Sequence, residues 1–358
     1  MRLLDERAVE DIAIGAAVLG TGGGGDPYIG KLMAIDAISE HGPIKLLSPE
    51  EVSDDDLVIP TAMMGAPTVI IEKIPRGDEA LEAFRILEKR FGKKAVATMS
   101  IEAGGINSTI PLAVAARLGV PIVDCDGMGR AFPEIQMVVP HLYGVKATPM
   151  IMVDEKGNLV MLDTIDNIWT ERISRAATVV MGGSAVIALY TMTGKQIKEA
   201  TVHGSITMAE TIGRILRENK KNPIQAMLEY VKGYEIFRGK IVDVMRRTVA
   251  GFARGEARFE GIDEYSGHEL LIRFQNENLV AIRDGEIVAS VPDLITVLEA
   301  ETGQPITTEG LRYGYRAVVV GIPCNPKWRT PKALEVVGPR YFGYDIDYIP
   351  IEERMCKR

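Results

Sequence analysis

The sequence predicts an α/β domain built on a parallel sheet, followed by a smaller and mostly β domain. Buried apolar strands alternate with amphipathic helices over residues 57–130, and this spacing is typical of parallel βαβ units. Short strands with turn signals replace the helices after residue 238. A chain of 358 residues is long enough for two domains. We therefore assign residues 1–237 to the α/β domain, with 150–237 as an α+β extension, and residues 238–358 to the β-rich domain.

Local patterns predict each element. Asp26 and Asn107 are typical N-caps, Gly92 is a typical residue just after a helix, and Asp284-Gly285 predicts a hairpin turn. Helices are predicted at 5–19, about 27–40, 78–91, 108–118 and 206–219. Strands are predicted at 57–60 (before a turn at 63–67), 94–99, 120–123, 151–153, 159–162, 240–244, 269–274, 278–282, 286–289 and 316–320.

The composition excludes several classes of function. With 41 Lys and Arg against 49 Asp and Glu, the net charge is −8, which argues against a nucleic-acid partner. No apolar run approaches the roughly 18 residues of a membrane span, and the first residues lack a secretory apolar core. Three widely spaced cysteines predict no disulfide framework. We therefore expect a cytoplasmic protein without membrane or nucleic-acid partners, and a methionine-rich apolar surface favours a homo-oligomer.

Acidic side chains follow two strands that are predicted to be neighbours. Glu102 follows one buried strand, and Asp124 and Asp126 follow the next. Ligands of open parallel sheets bind beyond the carboxyl ends of the strands, and period-two alternation places Asp124 and Asp126 on one face. Three carboxylates in one small volume raise a pKa or bind a cation. That cation is either a divalent metal or Arg130, unless the acids only cap helices and turns.

The glycine run at residues 20–25 has the spacing GxGxxG. A dinucleotide fingerprint needs a strand, the loop and a helix in that order. Here a predicted helix precedes the run, and Asp26 places a negative charge where a pyrophosphate would lie, so a dinucleotide cofactor is disfavoured. Two interpretations stay open. The bare amides approach a ligand or the acidic cluster, or the run is a tight turn for close packing.

Three further side chains are candidates. His203 lies just before a predicted helix, which is a ligand-type position, although a lone histidine is more often structural. Cys125 is interpreted as a packed strand residue rather than a nucleophile, because no histidine lies near it in sequence. Arg130 either binds a substrate carboxylate bidentately or pairs with Asp124 or Glu134.

Five segments of the chain resemble one protein family. The chain resembles the S-methyl-thiohydantoin desulfurase family over nearly its whole length, and relatives are found beside hydantoinase and oxoprolinase genes. The long motif at 124–134 is the specific part of the resemblance. The segments are GGGGDPY at 22–28, EAGGINS at 102–108, DCDGMGRAFPE at 124–134, PDLI at 292–295 and GPRYFGY at 338–344.

The resemblance implies a metallohydrolase that acts on a five-membered cyclic thioimidate, releases a thiol and leaves a hydantoin, as a step in ergothioneine breakdown. Carboxylate ligands suit Mg or Mn, whereas the departure of a soft thiolate suits Zn. The implied metal ligands are Glu102, Asp124 and Asp126. The implied catalytic groups are Asp126, Glu134 and Arg130. The implied substrate-binding residues are Gly22, Gly23, Gly24, Gly25, Asp26, Gly104, Gly105 and Asn107.

On this hypothesis the metal lowers the pKa of a bound water, and the resulting hydroxide attacks C2 of the ring. Arg130 or the amides of the glycine run hold the substrate oxygens, while Glu134 or Asp126 relays the proton. Two alternatives stay open. One is a non-catalytic or regulatory partner of a hydantoinase or oxoprolinase. The other is a nucleotide-using transferase that binds phosphate at the glycine run.

Overall fold

A computed structural model describes residues 1–65, 69, 73, 75–249 and 251–356. Within these residues the chain forms a nine-stranded mixed sheet with helices packed on it, a two-stranded ribbon and an eight-stranded antiparallel sheet. The predicted fold class, an α/β part followed by a mostly β part, is therefore confirmed. No described helix has the length and apolar character needed to cross a bilayer.

The helices and strands have the following bounds. The helices are α1 (Glu6–Leu19), α2 (Tyr28–His41), α3 (Glu79–Phe91), α4 (Gly105–Leu118), α5 (Val139–Leu142), α6 (Asn167–Val180), α7 (Gly194–Ala200), α8 (Ser205–Glu218), α9 (Pro223–Val231), α10 (Pro331–Val337) and α11 (Ile351–Cys356). The strands are β1 (Arg2–Leu4), β2 (Ile44–Leu47), β3 (Leu57–Gly65), β4 (Ala95–Ser100), β5 (Ile122–Val123), β6 (Cys125–Asp126), β7 (Met150–Val153), β8 (Leu159–Leu162), β9 (Ser184–Ala188), β10 (Met192–Thr193), β11 (Val202–His203), β12 (Tyr234–Val249), β13 (Phe252–Gly261), β14 (Glu269–Gln275), β15 (Glu277–Arg283), β16 (Glu286–Ser290), β17 (Leu294–Glu299), β18 (Pro305–Ile306) and β19 (Arg316–Ile322).

The first sheet contains the predicted βαβ units. Its strand order is β1-β2-β5-β4-β3-β9-β7-β8, and β2, β5, β4 and β3 are parallel neighbours. The turn predicted at 63–67 is wrong for its first part, because β3 continues to Gly65 and pairs antiparallel with β9. Residues 66–68 lie outside the described residues. The carboxyl ends of β3, β4 and β5 therefore lie side by side, as the sequence predicts.

The second sheet is antiparallel throughout, in the order β16-β15-β14-β13-β12-β19-β17-β18. Asp284 and Gly285 have φ angles of 51° and 84°, which confirms the predicted hairpin turn between β15 and β16. Three strands of this sheet were not predicted from the sequence: β13, β17 and the two-residue β18. The sequence of β13 is FARGEARFEG, in which charged residues and glycines interrupt the alternation of apolar and polar residues that predicts a strand.

Segments from the middle of the chain complete the first sheet. β9 lies between β3 and β7, and β10 pairs with β3. Helix α8 packs closely on α1, where a Cβ on Gly15 would lie 1.8 Å from the Ala209 carbonyl oxygen. Arg217 on α8 also donates to both carboxylate oxygens of Asp11 on α1, at 2.8 and 2.9 Å. The predicted boundary between 237 and 238 falls inside β12 and stays a prediction.

The glycine loop (residues 20–25) joins α1 to α2 and contacts both helix α4 and the second sheet, where the Asn278 amide on β15 donates to the Thr21 carbonyl. The amide of Ile106 on α4 donates to the Gly24 carbonyl at 2.9 Å, and the Thr308 amide donates to the Gly22 carbonyl at 2.8 Å. Gly22 and Gly24 have φ angles of 89° and 72°, a region that favours glycine. A Cβ on Gly24 would lie 2.5 Å from the Gly104 Cα. The loop is therefore a tight turn that allows close packing, and it follows a helix rather than the strand of a dinucleotide site.

Two predicted N-caps have other roles. Helix α4 begins at Gly105 with Gly104 as its N-cap, so Asn107 lies inside the first turn. The Asn107 side chain instead bonds to β3 and to Glu102. Helix α2 begins at Tyr28 with Pro27 as its N-cap, so Asp26 lies one residue earlier, where it accepts a hydrogen bond from the Tyr28 amide.

We predict that Gly105→Ala destabilises the protein by about 1–3 kcal/mol, the usual cost of overpacking, although alanine favours helices more than glycine does. The added Cβ would lie 2.0 Å from the Gly25 carbonyl oxygen. Chemical denaturation measures the free energy of unfolding. Gly310→Ala is the control, because its nearest contacts to an added Cβ begin at 3.3 Å. Equal stability of the two variants would contradict the close packing of the glycine loop on α4.

Candidate functional site

A cleft of about 660 Å³ opens at the carboxyl ends of β3 and β4, where the first sheet faces the start of β15. Gly24 and Gly25 of the glycine loop form part of its wall. Its polar lining residues are Glu102, Asn107, Glu134, Arg175, Asn276 and Glu277. Its apolar lining residues are Ala62, Met63, Met64, Ile101, Ile106, Met128, Phe132, Pro133, Ile135, Val138, Ile187 and Leu189. The cleft therefore combines buried carboxyl groups with an apolar, methionine-rich wall.

Glu102 lies just beyond β4 and its carboxyl group is buried in the cleft wall. Its Oε1 accepts a hydrogen bond of 2.6 Å from the Asn107 amide nitrogen. Burial raises the pKa of Glu102 to about 7, against the lowering effects of the Asn107 side chain and the Phe132 backbone amide. Glu102 therefore changes its protonation state close to neutral pH, which suits a group that accepts and returns a proton.

Asn107 fixes the orientation of Glu102. Its Oδ1 accepts from the Met63 amide at 2.7 Å, and its nitrogen donates to the Met63 carbonyl at 3.2 Å as well as to Glu102. The backbone of β3 thus holds the Asn107 amide in one orientation. The structure brings Glu102 and Asn107 together at the cleft, as the resemblance implied for these two turn residues.

Glu277 is a cleft residue that the sequence analysis missed. It is the first residue of β15 in the second sheet, and it lies buried in the cleft wall. Within the described residues, its Oε2 has no hydrogen-bond partner. Burial raises the pKa of Glu277 well above its usual value, and the nearby Glu102 carboxylate raises it further, while Arg130 and Arg175 lower it. The one available signal was the polar run Asn276-Glu277-Asn278 within an otherwise apolar strand pattern.

The residues beside Glu277 fix its position. Asn276 has a φ of 56°, and its side chain accepts from the Ala253 amide at 2.8 Å. The Thr308 hydroxyl donates to the Asn276 carbonyl at 2.7 Å. A Cβ on Gly23 would lie 2.0 Å from Oε1 of Glu277, so only glycine leaves room for this carboxyl group. The glycine loop therefore approaches an acidic group, as one interpretation of the sequence expected, but that group is Glu277.

Asp126 is buried beside the cleft rather than in its lining. Its Oδ2 accepts from the amides of Met128 and Gly129 at 2.8 and 2.7 Å, while its Oδ1 has no partner among the described residues. Burial raises the pKa of Asp126 to about 7, although the two amides lower it. Its main visible role is to hold the 126–129 turn.

Asp124 lies apart from Glu102 and Asp126. The chain bends at Asp124, because β5 belongs to the first sheet and β6 pairs with β11 in the separate ribbon. Strand alternation therefore does not hold from 124 to 126. The Asp124 carboxylate accepts from the Thr207 amide at 3.0 Å and from the Thr207 hydroxyl, so it caps the N-terminus of α8.

In the described part of the chain, Arg130 does not form the ion pair with Asp124 or Glu134 that the sequence suggested. It is fully buried, and it donates to the carbonyls of Pro292 and Asp293 at 2.7 and 2.9 Å and to the Thr21 hydroxyl at 2.9 Å. Its guanidinium also lies 4.3 Å from the centre of the Phe132 ring. No hydrogen bond joins it to Asp124 or Glu134 among the described contacts. Arg130 therefore connects the 126–132 segment to the second sheet instead of lining the cleft.

Glu134 and Arg175 line the cleft and are both held by neighbours. The Tyr341 hydroxyl donates to Glu134 at 2.7 Å, and the Gln136 amide also donates to this carboxylate. Arg175 pairs with Glu171 at 2.7 Å and donates to the Pro133 carbonyl at 2.9 Å.

The other predicted residues lie outside the cleft lining. Gly22, Gly23, Gly104 and Gly105 form the packed backbone beside it. Asp26 accepts from the Tyr28 amide at 2.8 Å on the exposed surface. His203 is exposed near Glu50, and Cys125 is a fully buried thiol whose pKa is raised by burial.

The residues that the resemblance implied as metal ligands do not fit a metal ion. Asp124 is turned toward Thr207, and one oxygen of Asp126 is taken by two backbone amides. Within the described parts of the chain, no group of three or more His, Cys, Asp or Glu side chains is arranged to hold a metal.

The architecture defines a class of two-part protein in which a mixed α/β sheet and an antiparallel sheet enclose one carboxyl-lined cleft. The chain belongs to the S-Me-THD-like family: the family's N-terminal domain matches residues 7–164 and its C-terminal domain matches residues 165–351. This match covers nearly the whole chain and confirms the resemblance to the S-methyl-thiohydantoin desulfurase family. No curated protein matches the chain.

The crystal structure of a protein from Chromobacterium violaceum, a target of the Northeast Structural Genomics Consortium, has a similar fold. It superposes with a TM-score of 0.81 and 24% sequence identity, over 98% of this chain and 100% of that chain. At this identity the likeness shows the fold alone.

We predict that Asp124→Asn lowers the free energy of unfolding by about 1–2 kcal/mol, because it removes the charge from the hydrogen bonds to Thr207. Chemical denaturation and elemental analysis check this expectation. A variant as stable as the parent would contradict the capping role, and stoichiometric metal in the parent that is lost in the variant would restore Asp124 as a ligand.

We predict that the free energy of unfolding decreases as the pH rises from about 5 to about 8, in part through Glu102. Its pKa is about 7 in the folded protein and about 4.3 in an unfolded chain. The folded state therefore favours the protonated form, and this stabilisation is lost as the pH rises through 7. Denaturation at several pH values should show that the free energy of unfolding of Glu102→Gln decreases less steeply with pH than that of the parent protein. The same slope in parent and variant would contradict the raised pKa.

Proposed function

We propose that this protein hydrolyses a five-membered cyclic thioimidate of the S-methyl-thiohydantoin type and yields a hydantoin and methanethiol. The family membership supports the substrate class. The observation that carries the proposal is a buried carboxyl group, Glu102, whose pKa lies near neutrality and which is aimed into an apolar cleft by Asn107. Perturbed carboxyl groups in a cleft are typical of groups that transfer protons.

The apolar wall suits the methylthio group of such a substrate. Met63, Met64 and Met128 line the cleft beside Phe132. Methionine side chains are flexible and polarizable, so they adapt to a sulfur atom and a planar ring. The main-chain groups of the glycine loop at Gly24 and Gly25 lie in the same wall and approach a bound ring without side-chain interference.

In the proposed reaction Glu102 acts as the general base. Its carboxylate takes a proton from a water molecule as the water oxygen bonds to C2 of the ring, and it passes that proton to the ring nitrogen of the C2=N bond. Asn107 holds Oε1 of Glu102 during this transfer. The tetrahedral intermediate then collapses. Its hydroxyl group gives the remaining water proton to Glu102 and becomes the C2 carbonyl, while the C2–S bond breaks and leaves its electron pair on sulfur. Released thiolate and one proton give methanethiol.

We predict that the purified protein releases methanethiol from S-methyl-thiohydantoin, as measured with a thiol reagent. Glu102→Gln should lower kcat by about 10²–10⁴-fold, the usual contribution of a general base. In the parent, kcat should rise with pH through about 7, where Glu102 loses its proton. Asp284→Asn, at an exposed hairpin turn far along β15, is the matched control.

Absence of turnover by a folded parent protein would reject the hydrolase proposal. In that case, binding of a hydantoinase or oxoprolinase would favour the alternative of a non-catalytic or regulatory partner. Turnover that is unchanged in Glu102→Gln would remove Glu102 from the reaction and leave the substrate class intact.

A further inference from the structure

We propose that Glu277 is the general acid that protonates the departing sulfur atom. This inference rests on the proposed function and adds a catalytic residue that comes from the second sheet. Methanethiolate is a basic leaving group, so cleavage of the C2–S bond needs a proton donor at sulfur. The donor must be a second group, because Glu102 is taking up the hydroxyl proton of the intermediate in the same step.

Its position in the cleft supports this role. Glu277 and Glu102 line the same cleft from opposite sheets, at the start of β15 and beyond the end of β4. A carboxyl oxygen that is buried without a hydrogen-bond partner costs free energy. Oε2 of Glu277 is such an atom among the described residues. A substrate atom in the cleft is the partner that it lacks.

A structural role as a counter-ion has less support. The charged groups near Glu277 are Glu102, Arg130 and Arg175. Arg130 donates to backbone carbonyls and to Thr21, and Arg175 is paired with Glu171, so no hydrogen bond or ion pair joins either arginine to Glu277 among the described contacts. Burial raises the pKa of Glu277 well above its usual value, and this direction favours the protonated form that a proton donor needs.

The proton balance of the two carboxyl groups is complete. The water molecule supplies two protons: one reaches the ring nitrogen through Glu102, and the other is left on Glu102 when the carbonyl forms. Glu277 gives its own proton to sulfur as the C2–S bond breaks. One proton then moves from Glu102 to Glu277 after methanethiol has left, and this restores both groups.

The dependence of the rate on the leaving group tests this role. Single-turnover rates are measured for the S-methyl substrate and for an S-aryl analogue, whose thiolate is a weaker base and needs less protonation. Glu277→Gln keeps the size of the side chain but cannot donate a carboxylic proton. This variant should cleave the S-methyl substrate about 100-fold or more slowly than the parent protein does, and the S-aryl analogue less than about tenfold more slowly. Thermal unfolding of the same variant reports its stability, and Asp284→Asn, in the exposed turn that follows β15, is the control.

Each outcome distinguishes the two proposals. A large loss for the S-methyl substrate and a small loss for the S-aryl analogue, at unchanged Tm, supports Glu277 as the acid. An equal loss for both substrates, or a marked decrease in Tm, overturns this role and favours a counter-ion of the buried arginines. Failure of the parent protein to cleave either substrate rejects the proposed function itself, and the role of Glu277 with it.

Discussion

The close contact of the glycine loop with helix α4 on one side and with the second sheet on the other is the constraint on which the cleft depends. The glycine loop passes between the first turn of α4 and the start of β15, at distances that leave no room for a Cβ on Gly23 or Gly24. This contact brings Glu277 from the second sheet to the cleft that Glu102 lines from the first. Glycine loses more conformational freedom on folding than any other residue, and this entropic cost is offset by the docking of two separate sheets around one cleft.

Local patterns predicted that Glu102 follows a buried parallel strand, and the structure places it just beyond β4. Glu102 and Asn107 meet because β4 and α4 form one βαβ unit, and such units have a regular geometry. The same reasoning failed at Asp124, where the chain leaves one sheet and joins another. Its carboxylate is used by Thr207, a contact between residues 83 positions apart. The alternation of side chains along a strand cannot reveal such a contact, because it applies only as long as the strand continues.

Glu277 was beyond sequence reasoning for a related reason. Glu277 reaches the cleft only because the second sheet packs against the first. Neither the hydrophobic periodicity nor a local sequence motif predicts how the two sheets pack. Arg130 shows the same limit. Its motif was recognisable, but its guanidinium binds the Pro292 and Asp293 carbonyls, which lie 162 and 163 positions away. A buried arginine is stable only when its donors are satisfied. Two of the acceptors here are local or belong to the glycine loop, and the other two lie in the segment between β16 and β17 of the second sheet.

The interleaving of the two family segments has a consequence for how such genes are inherited. The segment at 165–351 supplies β9 and β10 to the sheet that the segment at 7–164 begins, and α8 packs on α1 across the same division. One core cluster contains residues of both segments, whereas a second cluster lies within residues 236–351 of the C-terminal segment. Recombination near residue 164 would separate strands that pair with one another, so we expect the two halves to have been transmitted together rather than shuffled among unrelated partners.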